Sequence, residues 1–240
     1  MKQYTTEEFD DFMRSMKKIS DVLRSRKPDF IFAPIVGSVP LIDILSIIDR
    51  HFPLENVEYP PNSSRFLNRE EIMDRWYTNF LDANYTGDPI LITCIDEVIS
   101  GSSATKGQIE FRKILHQLSN GDRPLERKVN YEILGIGEKP KTKKRNHGLV
   151  RLVNERKAKV FETVRIITAD NRDLNPVRLK RGEVNPQGRQ TYLPEIESMN
   201  YSEHYLNLLH DVAAYCGADP EKVTPVNLLK IQRSLEKYLK

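Results

Sequence analysis

The chain has 240 residues, 39% of them hydrophobic and 30% charged, with 37 Lys and Arg set against 34 Asp and Glu. That length admits one sizeable α/β domain with an appendage, or two small domains, at an ordinary globular balance. A formal charge of +3 is too small to argue for nucleic acid by itself, and no apolar run approaches the roughly 20 residues that span a bilayer.

The cysteines, Cys94 and Cys216, lie far apart and form no CxxC pair. This argues against a zinc site or a disulfide framework and for reduced, buried thiols. The opening MKQYTTEEFDDF lacks the basic-then-apolar pattern of a signal peptide, so a cytoplasmic location is expected. The five histidines show no metal-ligand spacing.

In chain order, Thr5 and Glu8 form a capping-box pair, and Phe9, Phe12, Met13, Met16, Ile19 and Leu23 follow at helical spacing. Lys27-Pro28 ends this first helix. The run DFIFAPIV (29–36) predicts a buried parallel strand, and PLIDILSIIDRHF (40–52) a helix with proline in its first turn. NVEYPP (56–61) predicts a second strand. The long segment 62–88 then contains a helix, REEIMDRWYTNFL.

PILITCIDEV (89–98) is the strongest strand signal in the chain. ATKGQIEFRKILHQL (104–118) reads as a helix with Ile109, Ile114, Leu115 and Leu118 toward a core. VNYEILGIG (129–137) and FETVRIITA (161–169) read as strands, separated by a basic loop, KPKTKKRNHG, and a helix, LVRLVNERKAKV. The alternation predicts a doubly wound α/β domain with a mainly parallel sheet. The expected divisions are an N-terminal helix (1–27), the α/β domain (28–172), a polar loop or linker (173–200) and a C-terminal helical pair (201–240). In that pair, Tyr205, Leu208, Leu209, Val212 and Tyr215 suffice for packing on the body, the favoured reading, or on a second subunit in a homodimer.

Asp96 and Glu97 end the strongest strand, where open parallel sheets bind ligands. Adjacent carboxylates at such a place need hydroxyl donors, a cation or water. Beyond Val98 and Ile99 come the small residues Ser100, Gly101, Ser102, Ser103 and Ala104, then Thr105 and a helix. Small residues let backbone N–H groups turn toward an anion, and the helix start adds its positive end. Acids for sugar hydroxyls beside a phosphate cradle describe a site for a sugar phosphate.

At these residues the chain resembles the type I phosphoribosyltransferases, whose signature is a hydrophobic strand, two acids, two aliphatics and a small Thr/Gly-rich loop opening a helix. The resemblance covers roughly residues 28–172 and implies that family's fold. By it, Asp96 and Glu97 bind the ribose hydroxyls of phosphoribosyl pyrophosphate (PRPP), and Ser100 to Thr105 hold its 5-phosphate. PIVGSVPL (34–41) stands where the family has its pyrophosphate loop, often with a strained peptide. Val36, Gly37 and Ser38 are the matching positions. The segment 62–88 stands where the family has its mobile active-site loop, with Arg65 and Arg69 as the basic side chains that assist departing pyrophosphate. Asp170 and Asn171 hold the place that commonly touches the acceptor base, and Mg2+, carried by the ligand, is the implied cofactor. The loop reads SGSSA where the family has TGxT, which places Ser102 at the family's glycine. A serine there is strained if the position needs a positive φ.

The resemblance thus implies transfer of a phosphoribosyl group to a nucleobase or related nitrogen acceptor, with pyrophosphate released. The rival reading is a non-catalytic PRPP- or nucleotide-binding regulator on the same fold. A third is a nucleic-acid-associated protein using the basic loop 139–145, which salt-dependent binding would expose.

Overall fold

The computed structural model describes residues 4–63, 65–98, 100–119, 124–138, 146–163, 174, 176–223, 225 and 228–239. Helix α1 (Thr6–Arg26) starts at the capping box, where the Thr5 hydroxyl accepts from Glu8 N–H and the Glu8 carboxylate from Thr5 N–H. Its whole apolar stripe is buried, and Lys27, in a left-handed conformation, closes it by donating to the Leu23 carbonyl. Each large side chain so buried contributes roughly 1.5–3 kcal/mol.

Strands β1 (Phe30–Phe32), β2 (Val57–Glu58), β3 (Ile90–Glu97), β4 (Val129–Glu138) and β5 (Ala158–Thr163) form one parallel sheet in the order β2-β1-β3-β4-β5. Helices α2 (Val39–Ile48), α3 (Arg69–Asn84), α4 (Ser102–Leu118), α5 (Pro124–Lys128) and α6 (His147–Asn154) fall between the strands. Successive β3 side chains enter different cores, as the pleat requires. Ile92 and Cys94 join Trp76, Phe80 and Phe111, whereas Ile95 joins residues of α1 and α2. Helices therefore cover both faces, an α/β arrangement compatible with double winding.

Several expectations are corrected by packing. The segment 62–88 is no lid over most of its length: α3 puts Met73, Trp76, Tyr77, Phe80 and Leu81 into the core. Those residues share one helical face, which is a crossover helix's signature. In α4, which begins at Ser102, Ile109 is 49% and Leu118 39% exposed, and Phe111 takes the inward place between Gln108 and Ile114. The helix expected over 149–160 stops at Asn154, because Lys157 N–H bonds back to the Leu152 carbonyl and Ala158 enters β5 beside Ile133. Residues 164–169 of the expected last strand lie outside the described residues.

Residues 173–200 are not a linker. They contain an antiparallel hairpin, β6 (Val177–Val184) and β7 (Gln190–Met199). The Asn185 side chain shapes its turn by accepting from Gln187 N–H at 3.1 Å and Arg189 N–H at 2.8 Å, an Asx device. Tyr192 of β7 donates its N–H to the Arg65 carbonyl and accepts from Leu67 N–H, each at 3.0 Å. This ties the hairpin to the chain ahead of α3.

Helix α7 (Glu203–Tyr215) packs on α2, where Tyr205 OH donates to the buried Asp43. Helix α8 (Leu228–Leu239) lies along α3, with the Tyr238 and Trp76 rings 5.0 Å apart. Among the described residues no helix is long and apolar enough to cross a membrane.

Candidate functional site

β3 carries Asp96 to the carboxyl end of the sheet, where the residue is 8% exposed. The loop after β1 reaches it from the neighbouring strand. Ser38 is the N-cap of α2, yet its hydroxyl caps nothing in that helix. It donates to Asp96 Oδ1 at 3.2 Å instead. At the start of α2, Val39 N–H donates to the Val36 carbonyl at 3.4 Å, and Pro40 has no N–H to offer. The peptide between Ile35 and Val36 is cis. Val36 is half-buried, and open space borders the Gly37 α-carbon.

Burial pushes the Asp96 carboxyl up to about 7, against the Ser38 hydroxyl and the Glu97 N–H, which pull it down. Near neutrality the group is therefore divided between acid and carboxylate. A ligand that brings hydroxyl donors or a cation would favour the carboxylate. Glu97, the last residue of β3, is half-buried.

The chain then leaves the strand by a short path. Val98 N–H bonds to the Ile136 carbonyl of β4 at 2.8 Å, and the Ser100 carbonyl accepts from Asn146 N–H at 2.8 Å. Gly101 has φ +80 and is the N-cap of α4. The left-handed conformation thus falls on a glycine, and Ser102 already lies in the helix. The concern that Ser102 is strained does not apply. Ser102 N–H reaches the Ser100 hydroxyl at 3.3 Å, and the Thr105 hydroxyl donates to the Gly101 carbonyl at 2.8 Å. Ser103 is exposed and Ala104 buried in the same first turn. What remains is a helix start with small side chains and N–H groups that no helical partner can satisfy.

No family model, curated protein or solved structure matches this chain. The chemistry of the site must be read from its own residues.

Of the residues singled out in the sequence, Ser38 and Asp96 are joined directly, and Gly37 and the Ser100–Thr105 turn belong to the loops leading to and from them. Arg69 joins the second loop through Asn62: its Nη2 donates to Asn62 Oδ1 at 2.8 Å, and Asn62 Nδ2 donates to the Ser103 carbonyl at 3.2 Å. Arg65 is exposed, its main chain held by β7. Asp170, Asn171 and the basic loop 139–145 lie outside the described residues. Asn62, 2% exposed, was not foreseen. Its signal was its place just beyond β2, since polar side chains past the ends of parallel strands are ligand candidates.

Among the described residues no group of three or more His, Cys, Asp or Glu side chains could hold a metal ion. Mg2+ arriving on a polyphosphate needs only one or two nearby carboxylates. Asp96 and Glu97 are carboxylates of that kind, placed at the strand end.

Proposed function

We propose that the chain is a PRPP-binding protein of the type I phosphoribosyltransferase kind, transferring a phosphoribosyl group to a nucleobase or related nitrogen acceptor. The observation that carries this reading is the bond from Ser38 to Asp96, because it unites the loop after β1 with the acidic end of β3. Asp96 and Glu97 would hold ribose hydroxyls, and the start of α4 would hold the 5-phosphate. The loop of Val36, Gly37 and Ser38 would face the pyrophosphate, with open space at Gly37.

In that reaction the acceptor nitrogen bonds to the ribose C1 as the C1–oxygen bond to pyrophosphate breaks, and the nitrogen gives up its proton. Mg2+, bound through the ligand, would neutralise the charge gathering on the leaving group. The chain's own part is to fix the ribose in place for that step.

Calorimetric titration of PRPP with Mg2+ tests the reading. The wild type should bind at about micromolar strength, roughly −8 kcal/mol, and D96N/E97Q should not. Absence of binding to the wild type would remove the proposal.

The second reading is a non-catalytic regulator that binds PRPP or a nucleotide. It is favoured by α3, which fills the core where the resemblance expects a closing loop. Pyrophosphate release with a panel of bases separates the two.

A further inference from the structure

Asn62 sits where two chain segments meet. Its carboxamide spends one end on Arg69 Nη2 and the other on the Ser103 carbonyl, in the first turn of α4. The approach is close enough that α4 has a glycine opposite it: a side chain at Gly107 would overlap the Asn62 amide. Arg69 is therefore held beside the start of α4 by a fitted contact, not by a surface ion pair.

Its guanidinium is incompletely used. Arg69 Nε is buried and has no hydrogen-bond partner among the described residues. The Tyr77 hydroxyl, on the same helix and 1% exposed, is also without one. A buried charged donor left unpaired costs free energy, and the acceptor that best satisfies guanidinium N–H groups beside a helix start is a phosphate.

We infer that Arg69 is a binding residue for the phosphate held at the N-terminus of α4, and that Asn62 is its positioning residue. This rests on the sugar-phosphate reading above and deepens it. Arg69 serves the phosphate at the sugar's far end, whereas the family resemblance had placed it on the departing pyrophosphate. The Ser100–Thr105 turn then works with a side chain supplied from α3, 30 residues and more ahead of it in sequence.

The test is titration of the full chain with ribose 5-phosphate and, separately, with Mg2+-pyrophosphate, with thermal melts run on every variant. R69Q should weaken ribose 5-phosphate about tenfold and leave pyrophosphate within about twofold. N62A should weaken ribose 5-phosphate less, and R69K should fall between R69Q and wild type, since lysine keeps the charge but not the fork. R75Q, an exposed arginine on the same helix paired with Glu71, should match wild type for both ligands. Unchanged ribose 5-phosphate binding in folded R69Q and R69K, or a loss confined to pyrophosphate, overturns this inference alone. A wild type that binds neither ligand overturns the parent reading and this one with it.

Discussion

Leu149 of α6 lies directly over the α-carbon of Gly101, so that a methyl group there would overlap the leucine side chain. Helix α6 thereby presses on the turn that opens α4. Gly101→Ala meets two penalties at once, a left-handed φ of +80 and the overlap. Together they should cost about 2–4 kcal/mol in urea unfolding. In an L149A background the overlap shrinks to a tight contact with the β-carbon at 3.0 Å, so the cost should fall toward the backbone penalty, about 1–2 kcal/mol. An equal cost in both backgrounds would show that the leucine is not the obstacle.

Asp96 should make stability depend on pH in the unusual direction. Its carboxyl is raised to about 7 from an ordinary 3.8, so between these values the folded state binds more protons than the unfolded one. Stability from this group is then fully present below about 4 and lost as pH rises to about 7. Asp96→Asn should therefore be the more stable protein at pH 8, by an amount on the order of 1–4 kcal/mol, and should lose that advantage by pH 4. Thermal melts of both proteins across this range decide it; a constant difference would contradict the burial argument.

Ser38→Ala removes a hydroxyl that lowers the Asp96 carboxyl. The titration of that carboxyl, followed by carbon NMR, should move further upward. A downward movement would mean that water enters in place of the hydroxyl and solvates the group better.

Tyr205→Phe leaves Asp43 with one donor fewer in a place where it is 2% exposed. The expected loss is about 1–3 kcal/mol in chemical denaturation. Since Asp43 lies on α2, whose start adjoins Ser38, PRPP binding provides a second readout. Destabilisation without weaker binding would show that α7 supports the fold and not the loop.

The apolar runs made the sheet legible. ILITCI could only be a buried strand, and the acids after it could be placed at the ligand-binding end of a parallel sheet from pattern alone. Ser38 was legible as part of a loop but not as the partner of Asp96, since 58 residues separate the two and only the adjacency of β1 and β3 brings them together. The hairpin escaped notice for a different reason. Lys180, Arg181, Glu183, Glu195 and Glu197 are exposed, and too few apolar residues alternate with them to announce strands. Asn62 was silent because a lone asparagine after prolines looks like any turn; its meaning comes from Arg69 and Ser103.

The pairing of Tyr192 with Arg65 and Leu67 has a consequence for how the molecule is made. All five strands of the parallel sheet have been synthesised once residue 163 has left the ribosome. The stretch leading into Arg69 must wait for residue 192, and the outer side of α3 waits for Tyr238. Chains fold from the N-terminus as they emerge, so the sheet can assemble early, whereas the chain leading into Arg69 and the outer side of α3 acquire these neighbours only once residues 192 and 238 have emerged. A nascent chain halted between these points would carry the acids of β3 without the finished surroundings of the arginine.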